Sequence, residues 1–326
     1  MILCSYIFQD KKTGKGYDST IRYELEKDWP DLPKDLKLGN PTGICMDTNQ
    51  NIVVFHRSDR EWPLLGSMPD EPIQNKTILI IDKDNGKLIN SWGDNLFIMP
   101  HGLKVDNENN VWVTDVGLHQ IFKFSHEGKL LLKLGEAKTS GNDSLHFNKP
   151  TDIAITDNGS FYVSDGYGNS RIVKFSATGK YLFEWGKKGD KESEFNIPHG
   201  ISLDNNGKVY VADRENNRIQ IFDSTGKFIG QLSDPSFGSI CAVAFDKSKS
   251  KLFAVDDFTF LKVKHRGSDI FVFDTAGKIR TRFGRSGSYE GNTSWYHDLT
   301  VDKDENIYVG DILGNTIQKF RKVSKH

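Results

Sequence analysis

The chain has 326 residues, of which 37% are apolar and 11% aromatic, and this composition is sufficient for a hydrophobic core. Its formal net charge of −1 gives no electrostatic reason to expect nucleic acid or an anionic membrane surface as a partner. No stretch approaches the roughly 18 apolar residues of a membrane-spanning helix. Cys4, Cys45 and Cys241 lack the spacing of a zinc or redox motif, so we expect thiols and no disulfide framework.

The first residues bear on cellular location. The opening MILCSYIFQD has neither the basic start nor the apolar run of a signal peptide. Location therefore stays open at this point: secreted or periplasmic if a leader has been removed, and cytoplasmic otherwise.

A repeated pattern occupies residues 40–320. Its six units begin, in chain order, with NPTGICMD, MPHGLKVD, KPTDIAIT, IPHGISLD, SICAVAFD and WYHDLTVD. Each continues through Asp/Asn/Gly turn residues to three further short runs, and units 1 and 5 carry insertions near residues 63–76 and 258–268. Four short strands per unit are typical of a β-propeller blade. The sequence therefore predicts an all-β fold, a six-bladed β-propeller that forms a single domain over residues 1–326.

The last unit predicts how the ring closes. Only RKVSKH follows Phe320, so this unit lacks residues for its fourth strand. Residues 21–29, IRYELEKDW, have the length and terminal tryptophan of such a strand. Because an open seam would leave an edge strand exposed, we expect residues 21–29 to complete the last blade beside a strand at residues 317–321.

One position of the repeat has a special composition. It is occupied, in chain order, by Thr42, His101, Thr151, His199, Cys241 and His297, and the histidines are spaced by equal intervals of 98 residues. Equivalent residues on alternate blades of a six-fold ring lie about 120° apart and can converge on the axis. Three imidazoles with a fourth position open are the ligand set of a catalytic zinc site. A lone histidine at this position would be interpreted as a strand residue bonded to backbone, but three at alternate positions favour metal ligands.

The loops that follow the second strands should reach the same face of the ring. They contain Arg57 in FHRSDREW, Tyr167 in SDGYGNSR and Arg214 in ADRENNR. Arginine can bind a carboxylate through two parallel hydrogen bonds. A tyrosine near cations can lose its proton below its ordinary pKa and act as a base. The alternative is that all three are solvated loop residues.

These segments resemble a known family. The repeats are similar to NHL repeats, and FHRSDREW, PHGLKVDNENNVWVTDVGLHQIFKF, SDGYGNSRIVKF and VYVADRENNRIQIF resemble the peptidyl-α-hydroxyglycine α-amidating lyases. The likeness covers about residues 40–320. It implies a six-bladed propeller with an axial zinc that cleaves a peptidyl-α-hydroxyglycine into a peptide amide and glyoxylate. A separate monooxygenase would supply that substrate.

The resemblance also implies roles for individual residues. The positions that match the family's zinc ligands are His101, His199 and His297. Those that match its catalytic residues are Tyr167, Arg57 and Arg214. A structural calcium ion, held in the family by two backbone carbonyls and an aspartate, matches Ile44, Leu103 and Asp298.

The sequence departs from the family at two places. Trp295 stands where the family has a methionine two residues before its last zinc histidine, and Gly168 stands where it has a cysteine. The loop ADRENNR has no cysteine either, so both family disulfides are absent, which argues against a secretory-granule setting.

The sequence hypothesis for the chemistry is a metal-assisted elimination. Zinc would polarise the substrate hydroxyl, Tyr167 as a phenolate favoured by Arg57 would take its proton, and Arg214 would hold the carboxylate.

Two alternatives stay open on the sequence alone. One is another metal-dependent propeller hydrolase, such as a lactonase with a carboxylate-rich calcium site; the other is a non-catalytic NHL-repeat interaction module.

Overall fold

The computed structural model describes residues 21–63, 67–257, 259–260, 264–265, 267–285 and 293–324. Within these ranges the chain forms six four-stranded sheets, and all neighbouring strands of each sheet are antiparallel. The predicted all-β fold, a six-bladed β-propeller, is therefore confirmed. No helix in the described ranges has the length and apolar character needed to cross a membrane.

In each blade the first strand is the inner one and the fourth is the outer one. Blade 1 has Pro41–Met46, Ile52–His56, Ile78–Ile81 and Leu88–Trp92, and blade 2 has Pro100–Val105, Val111–Asp115, Gln120–Phe124 and Leu130–Leu134. Blade 3 has Pro150–Ile155, Phe161–Asp165, Arg171–Phe175 and Tyr181–Trp185, and blade 4 has Pro198–Leu203, Val209–Asp213, Arg218–Phe222 and Phe228–Ser233. Blade 5 has Ser239–Asp246, Lys251–Asp257, Asp269–Phe273 and Ile279–Gly284, and blade 6 has Tyr296–Val301, Ile307–Asp311, Thr316–Ser324 and Ile21–Leu25.

Two short pairs of strands lie outside the blades in the described ranges. Lys187–Lys188 pairs with Glu194–Phe195, and Thr259–Phe260 pairs with Lys264–His265 inside the predicted insertion of blade 5. A single turn of 3-10 helix, Arg214–Asn216, follows the second strand of blade 4. The parts of the insertions at residues 64–66, 258, 261–263 and 266 are outside the described residues.

The hydrophobic core lies between neighbouring blades. The inner strand of each blade contacts the inner strand of the next all the way round, so these six strands line the axis. Second strands such as Val111–Asp115 are buried along their whole length, whereas the outer strand Tyr181–Trp185 alternates between half-buried and exposed residues. Contacts such as Trp112 of blade 2 against Phe161 of blade 3, with ring centroids 4.7 Å apart, join one sheet to the next. This packing holds the inner strands, and the residues at their starts, in fixed relation to the axis.

The N-terminal strand Ile21–Leu25 completes blade 6. It pairs antiparallel with Thr316–Ser324, with Ile21 opposite Ser324 and Leu25 opposite Phe320. The strand is shorter than the segment expected from the sequence, because a turn at residues 27–28 ends it. Trp29 then turns into the core, where it packs on Tyr308 with ring centroids 5.2 Å apart.

A buried aspartate at the end of the second strand recurs in blades 2 to 6. Each accepts a hydrogen bond from a backbone N–H near the start of the inner strand of its own blade. The donor stands two or three residues before the repeat position, which is a histidine in blades 2, 4 and 6. Asp115 accepts from Ile98 at 2.7 Å, Asp165 from Asn148 at 2.9 Å, Asp213 from Asn196 at 2.7 Å, Asp256 from Gly238 at 2.7 Å and Asp311 from Trp295 at 2.8 Å. These bonds fix the segment that enters each inner strand, and they explain why the aspartate recurs.

Blade 1 uses His56 in place of this aspartate. Its Nδ1 accepts from the backbone N–H of Ser58 at 3.0 Å and lies 3.4 Å from that of Gly39, which stands three residues before Thr42. Because a protonated Nδ1 cannot accept these bonds, the ring must be neutral. Burial lowers the pKa of His56 to about 4, which is consistent with this role.

The lowered pKa of His56 predicts a pH dependence of stability. As pH falls below the ordinary value of about 6.5, the unfolded chain takes up a proton at this position first, so stability decreases until pH reaches the folded pKa and is constant below it. The shift corresponds to about 3 kcal/mol between pH 6.5 and 4. Urea unfolding of the wild type and of His56→Asn across this pH range measures the change in the free energy of unfolding. Asn can accept the same bonds but does not titrate, so its stability should fall less steeply; equal slopes would contradict the assignment.

Candidate metal centre

Three histidines converge on the axis of the ring. His101, His199 and His297 stand at the second residue of the inner strands of blades 2, 4 and 6, and all three are buried. Their ring centroids are 4.6–4.8 Å apart in all three pairs. One nitrogen from each lies within 4.8 Å of the others, so the group could hold a metal ion. The structure thus brings together the three residues that the spacing of 98 singled out.

Backbone carbonyls of the intervening blades orient the three rings. Nδ1 of His101 lies 2.7 Å from the carbonyl oxygen of Thr151, that of His199 2.6 Å from Cys241, and that of His297 2.7 Å from Thr42. Thr42, Thr151 and Cys241 occupy the same repeat position in blades 1, 3 and 5. A carbonyl can only accept, so each Nδ1 carries the proton and donates it. The lone pair of each Nε2 is left for a ligand on the axis.

The environment keeps these imidazoles neutral. Burial is the main cause that lowers the pKa of His101 and of His199 well below the ordinary value, and the neighbouring His297 lowers both further. Burial also lowers the pKa of His297 to about 3, with Arg57 as the next contributor. Metal ions bind the neutral form of imidazole. The site is therefore in its ligating state over the whole neutral pH range.

Tyr167 lies against the same nitrogens. Its hydroxyl is 3.1 Å from Nε2 of His101 and 3.0 Å from Nε2 of His199. The sequence analysis expected nearby cations to lower its pKa. In the structure burial raises the pKa of Tyr167, and Arg214 and Arg57 offset only part of this effect. The phenol is therefore neutral in the field of the protein alone, because desolvation outweighs the two guanidinium charges.

Arg57 is fixed beside the strand that carries His101. Its Nε donates to the carbonyl oxygen of Pro100 at 3.1 Å, and its guanidinium carbon lies 5.1 Å from the ring centroid of Trp62. Burial lowers the pKa of Arg57 to about 10, so the side chain keeps its charge at neutral pH. The structure thus places this cation close to the axial site, as a buried residue and not as a solvated one.

Trp62 is a residue of the site that the sequence analysis did not single out. Its ring stacks obliquely on Tyr167, with centroids 5.2 Å apart, while its face receives Arg57. It thereby links the base candidate to the cation. A signal for it was present, because a tryptophan in the otherwise polar loop FHRSDREW has no strand to pack against.

Arg214 approaches from blade 4, where it begins the 3-10 turn. Its backbone N–H donates to Ile197 at 3.1 Å, which holds the loop close to His199. The buried Nε makes no hydrogen bond with any described residue, and Glu215 lies 3.7 Å from it. Burial alone would lower the pKa of Arg214, but Tyr167, Cys241 and Glu215 raise it above the usual value. The guanidinium is therefore charged and can bind an anionic ligand by donating hydrogen bonds to it.

Trp295, the departure from the family pattern, lies next to this group. Its indole interacts with the thiol of Cys241, whose carbonyl in turn holds His199. Burial raises the pKa of Cys241 to about 12, so this thiol is protonated at neutral pH. Cys45 and Cys241 are both free.

The residues expected to hold calcium, Ile44, Leu103 and Asp298, lie on the inner strands of blades 1, 2 and 6. The backbone N–H of Ile44 donates to Asp298 Oδ2 at 3.0 Å, and the backbone of Leu103 packs closely against Gly43 of the adjacent strand. A cavity of ≈ 10 Å³ is lined by the three histidines together with two buried aspartates, Asp152 and Asp298. A volume of this size admits about one water or ion. The ammonium of Lys104 lies 3.5 Å from Asp298 Oδ2.

Comparison with known proteins agrees with the repeat pattern and with the fold. NHL repeats match at residues 97–124, 147–175 and 195–222. The structure of a streptogramin B lyase superposes with a TM-score of 0.58 at 18% identity, covering 95% of this chain and 90% of that one. At this identity the likeness shows the fold alone.

Sequence relatives are more informative. Peptidyl-glycine α-amidating monooxygenase B of Xenopus laevis is 36% identical over 92% of this chain, which spans only 36% of that protein's length. The probable peptidyl-α-hydroxyglycine α-amidating lyase of Caenorhabditis elegans is 33% identical, and the match covers 97% of this chain and 93% of the relative. The chain therefore belongs to the peptidyl-α-hydroxyglycine α-amidating lyases, a family of NHL-repeat enzymes.

Proposed function

We propose that the protein is a zinc-dependent lyase that cleaves peptidyl-α-hydroxyglycine into a peptide amide and glyoxylate. The observation that carries this proposal is the axial group of three neutral imidazoles, two of which, His101 and His199, place Nε2 within 3.1 Å of the Tyr167 hydroxyl. Arg57 and Arg214 supply positive charge beside it. Family membership supports the same reaction, since a relative matched over 93% of its length is named for it.

The residues present fit zinc better than a hard cation. Three imidazole nitrogens with an open position are typical of catalytic zinc sites, whereas calcium and magnesium prefer oxygen ligands. The Nδ1 bonds to backbone carbonyls are the outer-shell contacts that orient metal-binding histidines. A zinc ion held by His101, His199 and His297 would supply Lewis-acid charge that polarises the substrate hydroxyl and lowers the pKa of the adjacent phenol.

Tyr167 is the proposed base. The substrate carbon carries a hydroxyl, an amide nitrogen and a carboxylate. Tyr167, as the phenolate, takes the hydroxyl proton and leaves the O–H electron pair on the oxygen. This pair forms the carbonyl of glyoxylate as the C–N bond breaks, and the electron pair of the C–N bond stays on the amide nitrogen. That nitrogen takes up a proton, which Tyr167 can return, so no redox partner is needed and the atoms balance.

The two arginines have separate proposed tasks. Arg214 has a charged guanidinium with an uncommitted Nε, which suits it to pair with the substrate carboxylate. Arg57 is buried against Pro100 and Trp62, so it acts on Tyr167 through its charge and favours the phenolate. The lactonase-like alternative is not favoured, because the axial group contains imidazoles where such enzymes have carboxylates.

The substrate must come from a hydroxylation at the α-carbon of a C-terminal glycine. Several relatives matched over about a third of their length are named as amidating monooxygenases. We infer that a monooxygenase of this class supplies the peptide to the lyase site, either as a separate protein or as a linked one.

Replacing one axial histidine should remove the metal. His199→Ala eliminates one of three ligands, and we expect zinc affinity to fall by about 100-fold or more, beyond the effect of losing an outer-shell contact. Elemental analysis of the purified protein measures bound zinc. His146→Ala is the matched control, because this histidine lies outside the axis and bonds to Asp143. Full zinc occupancy in His199→Ala would contradict the site.

Replacing the base should separate chemistry from metal binding. Tyr167→Phe removes one oxygen and keeps the ring that stacks on Trp62. We expect zinc content and folding to be unchanged while the rate falls by about 10²–10⁴-fold, the usual contribution of a positioned acid or base. Glyoxylate release from an N-acyl-α-hydroxyglycine, compared at equal zinc loading, gives the rate.

Two outcomes would count against this part of the proposal. Equal rates for the wild type and Tyr167→Phe would remove Tyr167 from the mechanism. No release by the zinc-loaded wild type on any hydroxyglycine would overturn the activity itself.

A further inference from the structure

A buried cluster of charges lies further along the inner strands than the histidines. Lys104 follows His101 by three residues, and its ammonium is 3.2 Å from Asp152 Oδ1 and 3.5 Å from Asp298 Oδ2. Asp152 belongs to the inner strand of blade 3 and Asp298 to that of blade 6. Since blades 3 and 6 stand opposite each other in a six-membered ring, the ammonium bridges the channel across its axis.

The two carboxylates are themselves fixed to the following blades. Asp152 Oδ2 accepts from the backbone N–H of Ile201 in blade 4, and Asp298 Oδ2 accepts from that of Ile44 in blade 1, both at 3.0 Å. Asp152 Oδ1 has the ammonium of Lys104 as its partner, at 3.2 Å. The ammonium of Lys104 is therefore the group that compensates this buried charge, and the cluster connects five of the six blades.

A calcium ion does not fit these residues as they stand. Calcium requires six to eight oxygen ligands at about 2.3–2.6 Å. Asp298 is the one side chain among the expected ligands, and it already accepts from Leu299 at Oδ1 and from Ile44 at Oδ2. A divalent ion on that carboxylate would lie beside the ammonium of Lys104, and two cations this close repel strongly in a buried site.

We propose that Lys104 takes the place of the structural calcium implied by the family resemblance. The ammonium supplies a permanent, covalently attached positive charge between Asp152 and Asp298, so the propeller is held together at its axis without calcium. Lys104 belongs to the same strand as His101, so this internal cation forms together with blade 2. The proposal does not depend on the lyase reaction, and calcium content and melting temperature test it without an activity assay.

The wild type gives the first test. Protein is passed through a calcium-removing resin, and its zinc is kept constant. Elemental analysis should find no stoichiometric calcium, and the Tm should be the same with and without millimolar calcium chloride. One calcium ion retained per chain, or a Tm that rises with added calcium, would overturn the proposal.

Substitution of the lysine gives the second test. Lys104→Ala leaves two buried carboxylates facing each other with space between them, so its Tm should drop by several degrees without calcium and recover when calcium is added. Lys247→Ala is the matched control, since Lys247 pairs with Asp157 at 2.8 Å on the surface, and its Tm should change little in either buffer. A Tm of Lys104→Ala equal to that of the wild type without calcium would overturn the proposal.

A double variant covers the case in which Lys104→Ala does not fold. Lys104→Ala/Asp152→Asn removes one negative charge together with the positive one, and the amide oxygen can still accept from Ile201. This protein should fold without calcium and should not respond to it. A double variant that needs calcium to fold would show that the ammonium is not the counter-charge.

Discussion

The functional centre depends on one interaction that is repeated three times: an imidazole N–H of an even-numbered blade donates to a backbone carbonyl of the next blade. The bond sets the tautomer, the ring orientation and the direction of the free Nε2 lone pair. It also explains the alternation in the sequence. The odd blades contribute their main chain, so Thr42, Thr151 and Cys241 can occupy the repeat position without being ligands.

The fold and the axial histidines could be predicted because both follow from periodicity. Residues at equal spacing in the repeat lie at equal angles around the axis, so their proximity can be predicted without knowledge of individual contacts. Trp62 and Lys104 do not follow from periodicity, since Trp62 contacts Tyr167 of blade 3 and Lys104 contacts Asp152 and Asp298 of blades 3 and 6. The strand Ile21–Leu25 lies in blade 6, and the turn at residues 27–28 directs Trp29 away from the sheet and into the core.

Charge proximity and burial act against each other in the site, and their balance was the least predictable quantity. Two guanidinium groups near a phenol indicate a phenolate, yet desolvation raises the pKa of Tyr167 in spite of them. The same desolvation lowers the pKa of the three histidines and keeps them ready to ligate. The same low-dielectric channel thus keeps the three imidazoles and the phenol of Tyr167 neutral.

The completion of blade 6 by Ile21–Leu25 has a consequence for biosynthesis. His297 belongs to this blade, whose outer strand is synthesised before the strands of blades 1 to 5 and whose other three strands are synthesised after them. His101 and His199 are therefore present well before His297, on a ring that is still open. The three imidazoles face one another only once residues 296–324 have been synthesised and paired with the N-terminal strand. Assembly of the complete histidine group is thus coupled to closure of the ring.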